Sequence, residues 1–89
     1  MSIKNSNELT TFIKAKIAEI TNLNIEDIDE DTEFGSLGLD SVRGLFILQE
    51  LEELLGEEIN PLIFWNYPTI RSFTEYIIKK ERFPGSLIN

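Results

Sequence analysis

Apolar side chains recur at helical spacing in three separate parts of the chain. They lie three or four positions apart over residues 6–21, 41–55 and about 69–81, which places them on one face of a helix in each case. The predicted inward positions are Leu9, Phe12, Ile13, Ile17 and Ile20 in the first helix, Gly44, Ile47, Leu48, Leu51, Leu54 and Leu55 in the second, and Ile70, Phe73 and Ile77 in the last. No segment alternates with a period of two for long enough to suggest a sheet.

Capping residues at the ends of these segments support the three helices. Asn5 precedes the first helix, Asp40 or Ser41 can cap the second, and Thr69 can cap the last. These residue types accept hydrogen bonds from the unpaired N–H groups of a first helical turn. Pro84-Gly85 is expected to end the last helix.

Two connecting segments lack the helical repeat. Residues 22–40 form a long first segment, and such a length of structureless loop is unusual in a compact domain. We therefore expect its six apolar side chains to hold the loop against the helices. They are Leu23, Ile25, Ile28, Phe34, Leu37 and Leu39. The aromatic segment between Pro61 and Pro68 has room for only one or two turns, so the pattern predicts an all-α protein with three long helices and a short third one.

The length and composition are those of a single globular domain. The chain has 89 residues, 42% of them hydrophobic and 27% charged, and we place the core of the domain at about residues 6–82. No stretch approaches the roughly 18–20 apolar residues that span a bilayer, and the N-terminus lacks the apolar core of a secretory signal. We expect a freestanding, monomeric, cytoplasmic protein.

The negative charge is concentrated in the middle of the chain. Residues 26–58 contain twelve acidic residues and one base, Arg43, and so carry a net charge of −11, against −8 for the whole chain. Such a field repels nucleic acids and anionic lipids and attracts basic protein surfaces. We expect protein partners, and neither nucleic acid nor membrane. An acidic surface that only maintains solubility is the alternative.

Most catalytic chemistry is excluded because the chain contains neither cysteine nor histidine. Disulfides, thiolate nucleophiles and imidazole bases are therefore absent. Ser41 has no histidine to activate it and lacks the G-x-S-x-G frame of a hydrolase, so we expect that the protein is not an enzyme.

Alternate carboxylates at Asp27, Asp29 and Asp31 suggest a calcium loop, but the positions do not fit. If Asp27 is the first ligand, Thr32 stands where the loop needs glycine and Gly38 where it needs a bidentate glutamate. A solvated acidic loop is favoured, and we expect no metal site.

Ser41 is better suited to receiving a group than to catalysis. It lies at the predicted start of a helix, where free N–H groups and the positive end of the helix dipole favour an attached phosphate. Gly35 and Gly38 permit the close approach of another backbone. Taken alone, the pattern also fits an ordinary helix cap.

The chain resembles the family of acyl carrier proteins and peptidyl carrier domains over roughly residues 9–80. The segments that carry the resemblance are Phe34-Gly35-Ser36-Leu37-Gly38-Leu39-Asp40-Ser41-Val42, Leu51-Glu52-Glu53 and Tyr67-Pro68-Thr69-Ile70. Residues 59–70 are similar to polyketide or mixed-pathway carriers, including those loaded by fatty acyl-AMP ligases, rather than to bacterial fatty-acid carriers.

The resemblance implies a four-helix bundle with a long first loop. It also implies that a phosphopantetheinyl transferase moves 4′-phosphopantetheine from coenzyme A to Ser41, with Asp40, Leu39 and Val42 in the flanking motif positions. Acyl or aminoacyl intermediates are then carried as thioesters between an activating ligase, a ketosynthase or other enzymes of a polyketide, nonribosomal peptide or related lipid pathway.

The second helix presents candidate partner-binding residues beside Ser41. Its outward positions are Val42, Phe46, Gln49 and Glu53, and Leu45 and Glu52 lie between that face and Ser41. Exposed apolar patches often mark interfaces, but the first loop or the short helix can also cover such residues. We favour burial for Val42 and Leu45 and exposure for Phe46, which stands where many family members have glutamate. Arg43 is a second candidate recognition residue, unless it pairs with Asp40 or Glu50.

Two other functions remain open. An unmodified acidic helical adaptor that binds basic surfaces is the main alternative to a carrier, and a divalent-ion buffer is a third. The sequence does not identify the cargo.

Overall fold

The computed structural model describes residues 5–86, and the described chain contains four α-helices. They are α1 (Ser6–Thr21), α2 (Ser41–Leu55), α3 (Ile63–Asn66) and α4 (Ile70–Ser86). Two 3₁₀ turns, Ile25–Asp27 and Phe34–Leu37, lie in the first loop. No strand is present in residues 5–86, where a single bridge joins Glu33 and Thr69. The all-α prediction is confirmed.

The helices begin where the sequence predicts. Asn5 Oδ1 accepts the N–H of Glu8 at 2.9 Å, and Asp40 Oδ1 accepts the N–H of Arg43 at 2.8 Å. Thr69 caps α4 in the same way, because its Oγ1 accepts the N–H of Ser72 at 3.1 Å. Asp40, and not Ser41, is therefore the cap of α2.

The core forms where α1 packs against both α4 and α2. Ten of the predicted inward positions are buried: Leu9, Ile13, Ile17, Gly44, Ile47, Leu48, Leu51, Ile70, Phe73 and Ile77. The other four, Phe12, Ile20, Leu54 and Leu55, are partly buried. None of the described helices has the length and apolar character that crossing a membrane requires.

The first loop lies against the helices through four of its six apolar residues. The buried ones are Ile28, Phe34, Leu37 and Leu39. The prediction is wrong for Leu23 and Ile25, which are 38% and 42% exposed. Both precede Ile28, the first loop side chain that reaches the core.

Hydrogen bonds and ion pairs fasten the second half of this loop. The N–H of Phe34 donates to the carbonyl of Pro68 at 2.8 Å, and the N–H of Arg71 donates to the carbonyl of Glu30 at 3.0 Å. The Arg71 guanidinium also contacts Asp31 at 2.7 Å and holds the pKa of that carboxyl below its ordinary value. The loop is thus tied to the start of α4.

The last helix is longer than the sequence predicts. It spans Ile70–Ser86, whereas we expected Pro84-Gly85 to end it after about residue 81. Pro84 lacks only the hydrogen bond of its own N–H, and the helix continues for two residues beyond it.

The Glu52 side chain fixes the turn that follows the C-terminal end of α2. Gly56 adopts a left-handed conformation with φ of 77°, and the chain then turns toward α3. The part-buried Glu52 carboxylate accepts the N–H of Ile59 at 2.7 Å, which fixes this turn. Glu53 is exposed beside it.

We predict that Asp31→Asn lowers the melting temperature at pH 7, and that this difference from the native chain disappears in acid. A carboxyl whose pKa is lowered by folding stabilises the protein above its unfolded pKa of about 4 and loses that effect as the pH falls through its folded pKa. Thermal unfolding followed by circular dichroism between pH 7 and pH 2 tests this. Asp27→Asn, which removes the same charge from the same loop, is the control. A difference that persists unchanged in acid would contradict the role of the charge pair.

We predict that Glu52→Ala destabilises the domain by about 1 kcal/mol, because it leaves the N–H of Ile59 without its acceptor. The neighbouring Glu53→Ala removes the same charge without that hydrogen bond and should change stability little. Urea unfolding of both variants measures the two effects. Equal losses would show that the effect is one of charge alone.

The surface around Ser41

Ser41 is the first residue of α2 and is exposed. It follows Leu39, which is buried, and Asp40, whose side chain caps the helix. Gly38 ends the 3₁₀ turn Phe34–Leu37 with φ of 93°, a conformation that glycine adopts without the strain of a Cβ atom. The buried Leu39 side chain and the tight turn at Gly38 therefore fix the position of Ser41 at the start of α2.

The start of α2 has free hydrogen-bond donors. Asp40 takes the N–H of Arg43 with its side chain and the N–H of Gly44 with its carbonyl. The N–H groups of Ser41 and Val42, and the Ser41 hydroxyl, have no hydrogen-bond partner in the described part of the chain. Free N–H groups at the positive end of a helix dipole favour an anion.

A cavity of about 380 Å³ opens beside Ser41, between the first loop, α2 and α3. Its walls are mainly apolar and include Phe34, Leu45, Phe64 and Trp65, while Ser41 lies among its lining residues. This position allows a group attached to Ser41 to rest against an apolar surface.

The close packing of α3 on α2 forms one wall of the cavity. A Cβ atom added to Gly44 would lie 3.2 Å from Phe64 Cε2, so a larger residue there would force the ring to move. Phe64 stacks on Phe73 with ring centroids 5.0 Å apart, and it meets Phe34 edge to face at 4.9 Å. The missing side chain of Gly44 thus lets α3 approach α2.

The outward face of α2 carries an apolar patch formed by Val42, Leu45 and Phe46. Their exposed fractions are 63%, 43% and 56%. Exposure of Phe46 is confirmed, whereas the expectation that Val42 and Leu45 are covered is wrong. The physical reason is that α3 has only four residues and packs at Gly44, which leaves the neighbouring apolar residues uncovered.

Sequence reasoning missed the exposed residues around α3. Leu62 is 57% exposed and Trp65 is 62% exposed, while Ile63 between them is buried. A single helical turn cannot direct every side chain of a continuous apolar run into the core. The length of the apolar run between Pro61 and Pro68 could therefore have indicated that some of its side chains are exposed. Trp65 lines the same cavity as Leu45, so it lies next to the apolar patch.

The predicted polar residues of α2 differ in their surroundings. Gln49 and Glu53 are exposed, whereas Glu52 is half-buried and bonded to the backbone of Ile59. Arg43 is exposed, and its Nη1 lies 3.4 Å from the carbonyl oxygen of Gly38.

The two ion pairs considered for Arg43 do not form. Glu50 contacts Lys16 at 2.6 Å instead, and the Asp40 carboxylate accepts the backbone N–H of Arg43.

The alternate carboxylates of the first loop do not assemble into a site. Asp31 is engaged with Arg71, and its N–H donates to Asp29 within the loop at 2.8 Å. In the part of the chain that the structure describes, no three acidic, histidine or cysteine side chains are arranged to hold a metal ion.

Two comparisons with known sequences point to the same family. The family model described as "Phosphopantetheine attachment site" matches residues 11–77. A phenolphthiocerol/phthiocerol polyketide synthase of Mycobacterium tuberculosis is 33% identical over 69 residues, which are 75% of this chain and 4% of that protein. The polyketide synthase PksL of Bacillus subtilis is 36% identical over 55 residues, 62% of this chain and 1% of that protein. The chain thus spans only a small part of these relatives.

Solved structures show the same fold. A free-standing peptidyl carrier protein from Acinetobacter baumannii superposes with a TM-score of 0.81 at 33% identity, covering 88% of this chain and 98% of that one. An acyl carrier protein from Anabaena superposes with a TM-score of 0.79 at 27% identity, covering 86% of this chain and 88% of that one. The chain belongs to the phosphopantetheine-attachment family of acyl and peptidyl carrier domains.

Proposed function

We propose that Ser41 is the residue to which 4′-phosphopantetheine is attached, and that the domain carries acyl or aminoacyl groups between the enzymes of a polyketide, nonribosomal peptide or related lipid pathway. The observation that supports this most directly is the exposed, unbonded hydroxyl of Ser41 at the first position of α2. This residue lies inside the segment that matches the attachment-site family.

The residues around Ser41 fit the cofactor. The free N–H groups of Ser41 and Val42 suit the phosphate, and the cavity wall formed by Leu45 and Trp65 suits the less polar part of the group. When bound, the group supplies a thiol that holds acyl groups as thioesters, which a chain without cysteine does not possess.

Activation of Ser41 requires a partner. No described side chain forms a hydrogen bond to the Ser41 hydroxyl, and the chain has no histidine. A separate phosphopantetheinyl transferase must therefore remove its proton as the oxygen bonds to phosphorus and the nucleotide half of coenzyme A leaves. The role of Asp40 is to begin the helix and so fix the serine, and Leu39 anchors the turn before it.

The face of α2 next to Ser41 is proposed to bind partner enzymes. Its apolar patch of Val42, Leu45 and Phe46 has the exposed Gln49 and Glu53 along the same helix. Such a surface complements a partner with an apolar centre and basic residues around it, such as an activating ligase or a ketosynthase. Glu52 can add charge to this face while it holds Ile59.

We predict that incubation with coenzyme A and a phosphopantetheinyl transferase adds one phosphopantetheine mass to the chain. Ser41→Ala should abolish the gain because it removes the hydroxyl oxygen that we propose forms the phosphoester. Ser36→Ala, at an exposed serine of the loop that precedes α2, should retain it. Intact mass spectrometry measures all three proteins. A native chain that gains no mass would favour the unmodified acidic adaptor.

We predict that Phe46→Ala lowers kcat/KM for loading by a partner enzyme about tenfold, because a large apolar contact is lost from the interface. The melting temperature should change little, since more than half of this side chain is exposed, at 56%. Leu23→Ala, which shortens an exposed apolar residue in the first loop, is the control. A cooperative loss of stability with unchanged loading would show that Phe46 supports the core instead.

A further inference from the structure

Arg43 lies near Ser41 within the most acidic part of the chain. It is the only base in residues 26–58, which carry a net charge of −11. Its Nη1 is 3.4 Å from the carbonyl oxygen of Gly38, in the turn that leads into α2. The guanidinium therefore lies at the end of the helix where Ser41 is exposed.

The charge of Arg43 has no acidic partner in the described structure, unlike that of several other bases. Lys14 contacts Glu30 at 3.1 Å, and Lys16 and Arg71 also contact carboxylates. The contact of Arg43 with the Gly38 carbonyl is long for an N–H···O hydrogen bond, and it uses one of five donors. Its positive charge and its remaining donors are available to an anion.

A phosphodiester attached to Ser41 would place an anion at the start of α2, near the Arg43 guanidinium. It adds one negative charge to a segment that already has twelve acidic residues, so its attachment increases the repulsion within the domain. Arg43 is the base nearest to Ser41 in the sequence, two residues away. A planar guanidinium can donate two parallel hydrogen bonds to phosphate oxygens, which a point charge such as lysine cannot reproduce.

We propose that Arg43 is a positioning residue that binds the phosphodiester on Ser41 and holds the start of the attached group at the N-terminal end of α2. This inference rests on the proposed modification of Ser41. In this role Arg43, the single base of residues 26–58, binds a group on its own domain and not a partner enzyme. A carboxylate on a partner enzyme is the competing ligand.

The experiment compares apo and loaded forms of four proteins: the native chain, Arg43→Gln, Arg43→Lys and Lys79→Gln. The last removes one positive charge from an exposed position on α4 and is the matched control. Intact mass first establishes that each loaded sample carries the group. The readouts are the ³¹P chemical shift of the phosphodiester and the difference in melting temperature between loaded and apo forms.

We expect Arg43→Gln to move the ³¹P resonance away from its native position and to lower the melting temperature of the loaded form relative to the apo form. Arg43→Lys should restore part of both effects, and Lys79→Gln should change neither. Added salt should move the native resonance toward that of Arg43→Gln, because it screens an exposed ion pair.

An unchanged ³¹P resonance in Arg43→Gln, with equal melting temperature losses in the apo and loaded forms, would overturn the proposal and leave Arg43 as a support for the Gly38 turn. An unchanged resonance with slower loading by a partner would also overturn it and assign Arg43 to a partner carboxylate. If the native chain gains no mass, the proposed modification of Ser41 is overturned and the role of Arg43 with it. That result is distinct from a gain of mass with an unchanged resonance, which overturns the role of Arg43 alone.

Discussion

The hydrogen bond from the N–H of Arg43 to the side chain of Asp40 is the interaction on which the position of Ser41 depends. It measures 2.8 Å and begins α2 one residue before Ser41. If the serine capped the helix itself, its hydroxyl would be occupied by a backbone N–H. Because the aspartate takes that role, the serine sits in the first turn with its oxygen exposed and with free N–H groups around it. The helix cap and the exposed serine thus occupy adjacent residues.

The rest of the fold holds this helix end in place. Buried side chains of the first loop, Phe34 and Leu39 among them, fix the turn before the helix, and Arg71 ties the same loop to α4. On the other side, the absence of a side chain at Gly44 admits the Phe64 ring and sets the wall of the neighbouring cavity. In the proposed function, these contacts hold the attachment point in place, the exposed face of α2 binds partner enzymes, and those enzymes carry out the chemistry.

The sequence predicted the helices well because their signals are local. Apolar spacing and capping residues such as Asn5 act within one or two turns, and the structure confirms them. The exposure of Val42 and Leu45 depends instead on how far the four-residue α3 extends over α2, which periodicity does not encode. The bond from Ile59 to Glu52 likewise joins residues that the pattern assigned to separate elements. The proposal that Ser41 carries a cofactor came from the resemblance to a family and not from composition.

The central claim is that the chain is loaded at one hydroxyl, that of Ser41. Peptide-level tandem mass spectrometry of the loaded chain purified from cells tests it most directly, because fragmentation assigns the added mass to a single residue. The account predicts that all of the added phosphopantetheine is on Ser41. Phosphopantetheine on Ser36 or any other residue, or a chain that carries none in cells with an active transferase, would contradict it.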